Sequence, residues 1–303
     1  MEKINSLIGF CEDLNCEVRK SQLLRDYTTF KIGGECPAVI LPSDTDMLCE
    51  IIKKIKALDV KFTVIGNGSN LLCDDKGFNG VVIKIGKNMD SISLVNDTTI
   101  SVSAGTSLKK LCNYALDNSL TGLEFAYGIP GTVGGAVFMN AGAYDGEIKQ
   151  VIVSCETVDM NGNIKKYTKE EMDLSYRHSA FQSKDEIIVS AVFELKKGDK
   201  DLISEKMNDL MSRRKEKQPL DLPNAGSTFK RPVGQFAGKL IQDCGLRGFR
   251  MGGAMVSDKH CGFVVNKENA TFDDVMSVIS QVQDKVLKET GFLLECEVKI
   301  LKY

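Results

Sequence analysis

Two glycine-rich stretches have the composition of a phosphate cradle. The first, Ile65-Gly66-Asn67-Gly68-Ser69-Asn70-Leu71, follows a short β-branched and aromatic run, where a strand hands over to a turn. Glycines there let backbone N–H groups converge on an anion, and Ser69 and Asn70 add side-chain donors. The second holds five glycines within fifteen residues, namely Gly128, Gly131, Gly134, Gly135 and Gly142, interleaved with apolar residues and with Asn140. Such a backbone approaches a flat, partly apolar ligand closely while its amides face phosphates. Alone, the first loop is better read as a plain β-turn without a ligand, and the second has tight packing on a strand as its alternative. Two in one chain point to a phosphorylated cofactor.

Neither loop fits the familiar nucleotide fingerprints. Leu71 stands where G-x-G-x-x-G needs its third glycine. The stretch Gly234-Gln235-Phe236-Ala237-Gly238-Lys239-Leu240 is one residue short of a Walker loop and lacks the Ser or Thr that would hold magnesium. A Rossmann site and a P-loop are both excluded. Ser227 is outside any G-x-S-x-G elbow, which argues against a hydrolase nucleophile.

The third chemical feature is a cluster of cations: Arg213, Arg214, Lys215, Lys217, Lys230 and Arg231. The formal net charge is −2, so no global basic field exists to hold nucleic acid. A local concentration of this kind suits a diphosphate, or equally a solvated helix end whose cations complement the dipole. The ten cysteines include no C-x-x-C pair, and there are only two histidines, His178 and His260, so a zinc site is not expected. Cys49, Cys112 and Cys155 sit in apolar periodic segments and read as reduced, small hydrophobes.

The elements that must position these residues follow from periodicity. Residues 38–41 read as a strand, Ser43-Asp44 as a cap, and Met47, Leu48, Ile51, Ile52 and Ile55 as one face of a helix. A strand at 61–65 completes a β-α-β unit. A second strand at 98–102 precedes a helix with Leu108, Leu111, Cys112 and Ala115 on its apolar face. Residues 127–146 are too rich in Gly, Ala and Pro for long elements. Strands follow at 151–158, turning at Asn161-Gly162, and at 187–193. A helix over 202–217 stops at Pro219. Thr271-x-x-Asp274 resembles a capping box ahead of Val275, Val278, Ile279, Val282 and Val286, and 294–301 closes as a strand. Two mixed α/β lobes, 1–95 and 96–198, are expected before an α+β domain at 199–303. No run of 18 apolar residues exists and 1–20 is unlike a secretory leader, so a cytoplasmic protein without a membrane partner is expected.

Read in order, several stretches cover nearly the whole chain. They are Thr29-Phe30-Lys31-Ile32-Gly33-Gly34, the first glycine loop through Leu72, Gly128-Ile129-Pro130-Gly131-Thr132-Val133-Gly134-Gly135 and Asn140-Ala141-Gly142-Ala143-Tyr144. Tyr176-Arg177-His178-Ser179, Asn224-Ala225-Gly226-Ser227-Thr228-Phe229-Lys230 and Leu294-Glu295-Cys296-Glu297-Val298 follow. As an ordered set they resemble the UDP-N-acetylenolpyruvoylglucosamine reductases. The resemblance implies a mixed α/β, α+β fold: a two-subdomain FAD-binding fold of the vanillyl-alcohol-oxidase (PCMH) type plus a C-terminal α+β substrate domain. No long insertion follows Tyr176, which is similar to the shorter, Gram-positive-type branch. It also implies non-covalent FAD, NADPH as reductant and UDP-N-acetylglucosamine-enolpyruvate as substrate, whose enolpyruvyl ether becomes the lactyl ether of UDP-N-acetylmuramate. A monomer is favoured.

By that resemblance FAD contacts Ile65, Gly66, Asn67, Gly68, Ser69, Asn70, Gly128, Ile129, Thr132, Gly134, Gly135, Asn140, Gly142, Ala143 and Ile188. Three residues carry the chemistry. Arg177 stabilises charge developing on the substrate carboxylate, Glu297 shares that charge, and Ser227 protonates carbon. Out of family context, Arg177 reads as a surface ion pair, Glu297 as an exposed strand residue beside Glu295, and Ser227 as a turn serine. Tyr176, Lys217, Lys230 and Arg231 are the expected substrate contacts. His260 falls where the other branch has a glutamine, a departure that leaves its role open. A flavin oxidase using oxygen is the alternative enzyme, but neither loop offers a His or Cys as a covalent tether. A catalytically dead flavin or UDP-sugar binder is the alternative from another class, opposed by the joint presence of Arg177, Ser227 and Glu297.

Overall fold

A computed structural model describes residues 1–303. The chain forms two compact units, one from Met1–Lys20, Pro37–Asn67 and Gly80–Arg213, the other from Ser21–Cys36, Gly68–Asn79 and Arg214–Tyr303. Helices are numbered in chain order: α1 (Glu2–Asp13), α2 (Thr45–Leu58), α3 (Leu108–Asp117), α4 (Val133–Phe138), α5 (Lys200–Lys217), α6 (Ala237–Asp243) and α7 (Phe272–Thr290).

The first unit is built on two sheets. One has the spatial order Glu17–Leu23, Glu35–Leu41, Val81–Lys84, Phe62–Ile65, with the last three strands parallel. The β-α-β unit expected around α2 is present, but Val81–Lys84 lies between its two strands, so the crossover skips one position. Val39, Ile40, Val81, Val82 and Ile83 are all buried, as parallel strands covered on both faces require. Asp44 caps α2 by accepting the Met47 amide at 2.8 Å, and Leu48, Ile51, Ile52 and Ile55 form its buried face. The other sheet is antiparallel, ordered Ile164–Thr168, Ile152–Asp159, Glu186–Glu194, Thr99–Ser103, Ile92–Leu94. Side chains from both sheets and from α1, α2 and α3 share one apolar core, with Ile40, Ile52, Val102, Leu111, Ile152 and Phe193 among its members.

In the second unit α6 and α7 pack on a three-stranded antiparallel sheet, Arg250–Met251, Ala254–Val256 and Val264–Asn266. The capping box is complete: Thr271 Oγ1 accepts the Asp274 amide at 3.1 Å and Asp274 Oδ2 accepts the Thr271 amide at 3.0 Å. Gly291, at φ 76°, ends α7 in the left-handed conformation that glycine tolerates best. Phe30, Ile32 and Leu72, from the first quarter of the chain, are buried in this core beside Phe229, Val264 and Leu294. Leu71–Cys73 pairs in parallel with Lys299–Leu301.

That pairing corrects one expectation. Only Lys299–Leu301 of the stretch 294–301 is a strand. Residues 295–297 instead line up with 228–230, through a bridge between Phe229 and Cys296, and the chain changes partner after Val298. All ten cysteines are free thiols. Burial pushes the thiols of Cys11, Cys73 and Cys155 up to about 12, which suppresses the reactive thiolate. No helix is long and apolar enough to cross a membrane.

Candidate active site

In the first unit the two glycine loops meet. A Cβ at Gly66 would collide with Thr132 Oγ1, so only glycine lets the loops close on one another here. Asn67 Nδ2 donates to the Pro130 carbonyl at 3.2 Å. Lys84 Nζ donates to the Gly66 carbonyl at 2.7 Å, and burial, helped by the Arg19 charge, pulls its pKa below the usual lysine value. Thr132 is buried and caps α4, accepting the Gly135 amide at 3.4 Å. The Val133 and Gly134 amides donate to the carbonyls of Thr106 and Ala104 at 2.8 and 2.9 Å. The first turn of α4 is therefore satisfied from within the protein. By contrast, the amides of Gly66 and Asn67 donate to no acceptor in the chain. Uncommitted N–H groups in a glycine turn are the kind of donor set that can cradle an anion.

Ala104 links the second loop to Ile188. A Cβ at Gly134 would come within 2.9 Å of the Ala104 Cβ, and the Ala104 amide donates to the Val189 carbonyl at 2.8 Å. Ile188 is buried in the neighbouring position of the strand Glu186–Glu194. Ile129 is partly buried against the same core.

Asn140 behaves differently from its neighbours. It is fully buried, and its Nδ2 donates to Glu147 Oε2 at 3.0 Å and to the Ser175 carbonyl at 2.9 Å. Its Oδ1 accepts the Lys149 amide at 2.9 Å. These bonds anchor two hairpins. One pairs Gly142 and Ala143 with Glu147 and Gly146. The other is the tight turn in which Ser175 and His178 exchange backbone hydrogen bonds at 3.0 and 3.2 Å, with Tyr176 and Arg177 at its corner.

Arg177 has φ 55°, a left-handed backbone that costs a residue with a Cβ about 1 kcal/mol. Gln182 Nε2 holds the Arg177 carbonyl at 2.9 Å and the Phe138 carbonyl at 3.1 Å, and the buried Ser179 hydroxyl also donates to Phe138 O, at 2.7 Å. The guanidinium donates from Nη2 to the Gly142 carbonyl at 3.1 Å and lies 5.1 Å over the Tyr176 ring. These contacts over-determine the turn and hold its strained backbone in place.

In the second unit a short ladder carries the other two candidates. The Glu297 amide donates to the Thr228 carbonyl and the Lys230 amide to the Glu295 carbonyl, both at 2.8 Å. Glu297 therefore lies across from Thr228, the residue that follows Ser227. Thr228 is itself locked, its amide on Gly262 O at 2.8 Å and its Oγ1 accepting the Val264 amide at 2.9 Å. Gly226, at φ 78°, turns the chain into Ser227 under an Asn224 side chain that accepts its amide at 2.9 Å. The Ser227 side chain is half-buried and forms no hydrogen bond within the chain.

The two glutamates separate clearly. Glu295 is exposed and paired with Lys230 at 3.0 Å, whereas Glu297 is half-buried and held by its main chain. Lys230, an expected substrate contact, pairs with Glu295 in this arrangement. Gly68, Ser69 and Asn70 belong to this unit. A Cβ at Gly68 would strike the Tyr27 carbonyl, and Asn70 Nδ2 donates to Glu297 O at 3.1 Å. His260 Nδ1 accepts the Gly262 amide at 3.1 Å, and burial lowers its pKa. Lys217 is exposed in the last turn of α5. Beside it, Gln218 Oε1 is buried without a donor. Arg231 stacks 4.4 Å over the Phe236 ring. Gln182, Ser179 and Thr228 were not foreseen from sequence; their roles depend on contacts that no local pattern announces.

A mixed α/β architecture with two glycine turns packed on one another is compatible with a phosphorylated cofactor, and the comparisons with known proteins make the class a flavin-dependent oxidoreductase. Residues 36–168 match the FAD binding domain, and 218–301 match the C-terminal domain of UDP-N-acetylenolpyruvoylglucosamine reductase. A reductase of that name from Agathobacter rectalis is 49% identical over 289 residues, covering 92% of each chain. One from Clostridium botulinum is 46% identical, covering 94% of this chain and 93% of its own. The crystal structure of the Thermus caldophilus enzyme superposes with a TM-score of 0.81 at 34% identity, over 94% of this chain and 99% of that one. The chain belongs to the UDP-N-acetylenolpyruvoylglucosamine reductase family, and FAD is its cofactor.

Proposed function

We propose that this flavoenzyme reduces the enolpyruvyl ether of UDP-N-acetylglucosamine-enolpyruvate to UDP-N-acetylmuramate, with NADPH as reductant, as a monomer in the cytoplasm. Residues 1–95 and 96–198 form the flavin-binding subdomains and 199–303 the substrate domain. FAD, when bound, supplies the hydride chemistry. The protein supplies position and charge.

Reduction at the substrate's methylene carbon leaves negative charge on the adjacent carbon and its carboxylate. Arg177 meets that charge with a planar guanidinium whose backbone is already held in a strained turn. Glu297 shares it through a carboxyl hydrogen bond, and Ser227 gives its hydroxyl proton to carbon. A serine is acid enough for this only toward a strongly basic carbon, with the resulting alkoxide stabilised by nearby donors. Tyr176, Lys217, Lys230, Arg231 and His260 contact the UDP-sugar. The observation that carries the reading is the ladder setting Glu297 opposite Thr228, directly after an uncommitted Ser227 hydroxyl.

The test is an anaerobic visible spectrum of the holoenzyme. Bleaching of the flavin band by NADPH and its return on adding the UDP-enolpyruvyl sugar is the expected result. A flavin that NADPH reduces but only oxygen reoxidises would overturn the substrate assignment.

A further inference from the structure

The last residue of the first glycine loop faces away from the role that its position suggests. Asn70 directly precedes the strand Leu71–Cys73, which pairs in parallel with Lys299–Leu301. Its carbonyl accepts the Lys299 amide at 2.9 Å and so extends that ladder by one bond. Its side chain does something else: Nδ2 donates to the Glu297 carbonyl at 3.1 Å. The Glu297 amide is meanwhile bound to Thr228 O at 2.8 Å. Both peptide groups flanking the Glu297 side chain are thus captured, one by the ladder with 228–230 and the other by Asn70.

The capture falls where it is needed. Glu297 is the last residue paired with the Ser227 segment, and Lys299 is the first paired with Leu71–Cys73. Val298, buried, is the link between them. At such a change of partner a carbonyl is left without a ladder bond, and a loose peptide there would let the carboxyl swing. Asparagine brings an amide donor of the right reach to that carbonyl, where aspartate would set a carboxylate against it.

We propose that Asn70 is a positioning residue for Glu297, fixing the carboxyl through its main chain and tying the flavin loop to the acid. This rests on the reading of Glu297 as the charge-sharing carboxyl. Asn70 in this role is not primarily a ligand for the cofactor.

The experiment compares Asn70→Ala, Asn70→Asp, Glu297→Gln and the Asn70→Ala/Glu297→Gln double variant. Three quantities are read: FAD affinity by flavin fluorescence, the rate at which dithionite-reduced enzyme is reoxidised by the UDP-enolpyruvyl sugar across pH, and hydrogen exchange at the Glu297 amide. A displaced catalytic group typically costs about 10- to 100-fold in rate. Asn70→Ala and Asn70→Asp are expected to slow reoxidation by that much, shift its pH profile and speed Glu297 exchange, with FAD affinity retained. The double variant is expected to be no slower than Glu297→Gln alone. If the Asn70 variants lose FAD while the flavin they retain reoxidises normally, Asn70 is a cofactor contact and the proposal fails. It fails also if the two defects multiply. Should Asn70→Ala not fold, the isosteric Asn70→Asp decides between these outcomes. Wild-type reoxidation in Glu297→Gln would remove the carboxyl's role itself, a result distinct from either failure of Asn70.

Discussion

The buried Asn140 side chain donates to the Ser175 carbonyl at 2.9 Å, and in this way a residue of the second glycine loop holds the hairpin that carries Arg177. The two positions are 35 residues apart. Arg177 also reaches back to the loop, from Nη2 to Gly142 O. The second glycine loop and the guanidinium therefore form one hydrogen-bonded assembly, and a change in either is felt by the other.

The strained backbone at Arg177 gives a test that separates stability from chemistry. Arg177→Gly relieves the left-handed φ of 55° and is expected to gain about 1 kcal/mol of backbone strain energy. It should nonetheless slow substrate reduction by several orders of magnitude, because no guanidinium remains. Arg177→Lys should recover only part of the rate, since an ammonium lacks the paired donors. Denaturant midpoints beside single-turnover rates check both; an Arg177→Gly protein as active as wild type would show that the arginine is an ordinary turn residue.

Ser227→Ala is expected to leave flavin reduction by NADPH intact while slowing reoxidation by the enolpyruvyl sugar by roughly 10²-fold or more, the usual scale for losing a general acid. Stopped-flow measurement of the two half-reactions checks this. Equal wild-type rates in both would take Ser227 out of the mechanism.

The contact between Gly66 and Thr132 predicts a coupled pair. Gly66→Ala drives a methyl into Thr132 Oγ1 and is expected to destabilise the protein by about 1–3 kcal/mol, with weakened FAD binding. Thr132→Ala alone removes the cap of α4, at about 1 kcal/mol. Since it also removes the colliding atom, the double variant should lose less than the sum of the two. Additive losses in urea melts would mean that the loops are separately stable.

His260 provides a pH signature. Burial lowers its pKa from 6.5, so the unfolded chain binds the proton more readily than the folded one. Its contribution is fully present above pH 6.5 and is lost as pH falls from there through the lowered folded value. Wild-type protein should lose more stability than His260→Gln on moving from neutral into mildly acidic buffer. Parallel losses measured by denaturant unfolding would count against a buried neutral imidazole.

Local features were legible because their physics is local. The Thr271–Asp274 capping box, the apolar face of α2 and the punctuation at Asn161-Gly162 each depend on residues within a turn or two. The glycine loops were legible as cradles for the same reason: missing side chains permit close approach whatever the partner is. Family order is what singles out Arg177, Ser227 and Glu297 as proposed catalytic residues, since the type of each residue alone reads as a surface cation, a turn serine and a strand acid.

The polar side chains in those loops were another matter. An asparagine in a glycine turn reads as a donor to a ligand, and Asn70 and Asn140 were expected to be just that. The Asn70 side chain bonds to Glu297, 227 residues away, and that of Asn140 to Ser175, partners that the sequence did not announce. Likewise 294–298 has the composition of a strand, but its pairing with 228–230 depends on a distant segment lying alongside. Composition and spacing by themselves determined most of the elements and the two glycine turns, since these follow from periodicity and sterics, while the ordered set of motifs carried the resemblance to the family. Only the tertiary structure decided which donor meets which acceptor, because a hydrogen bond is made at about 3 Å, and that proximity is created by packing and not by position in the chain.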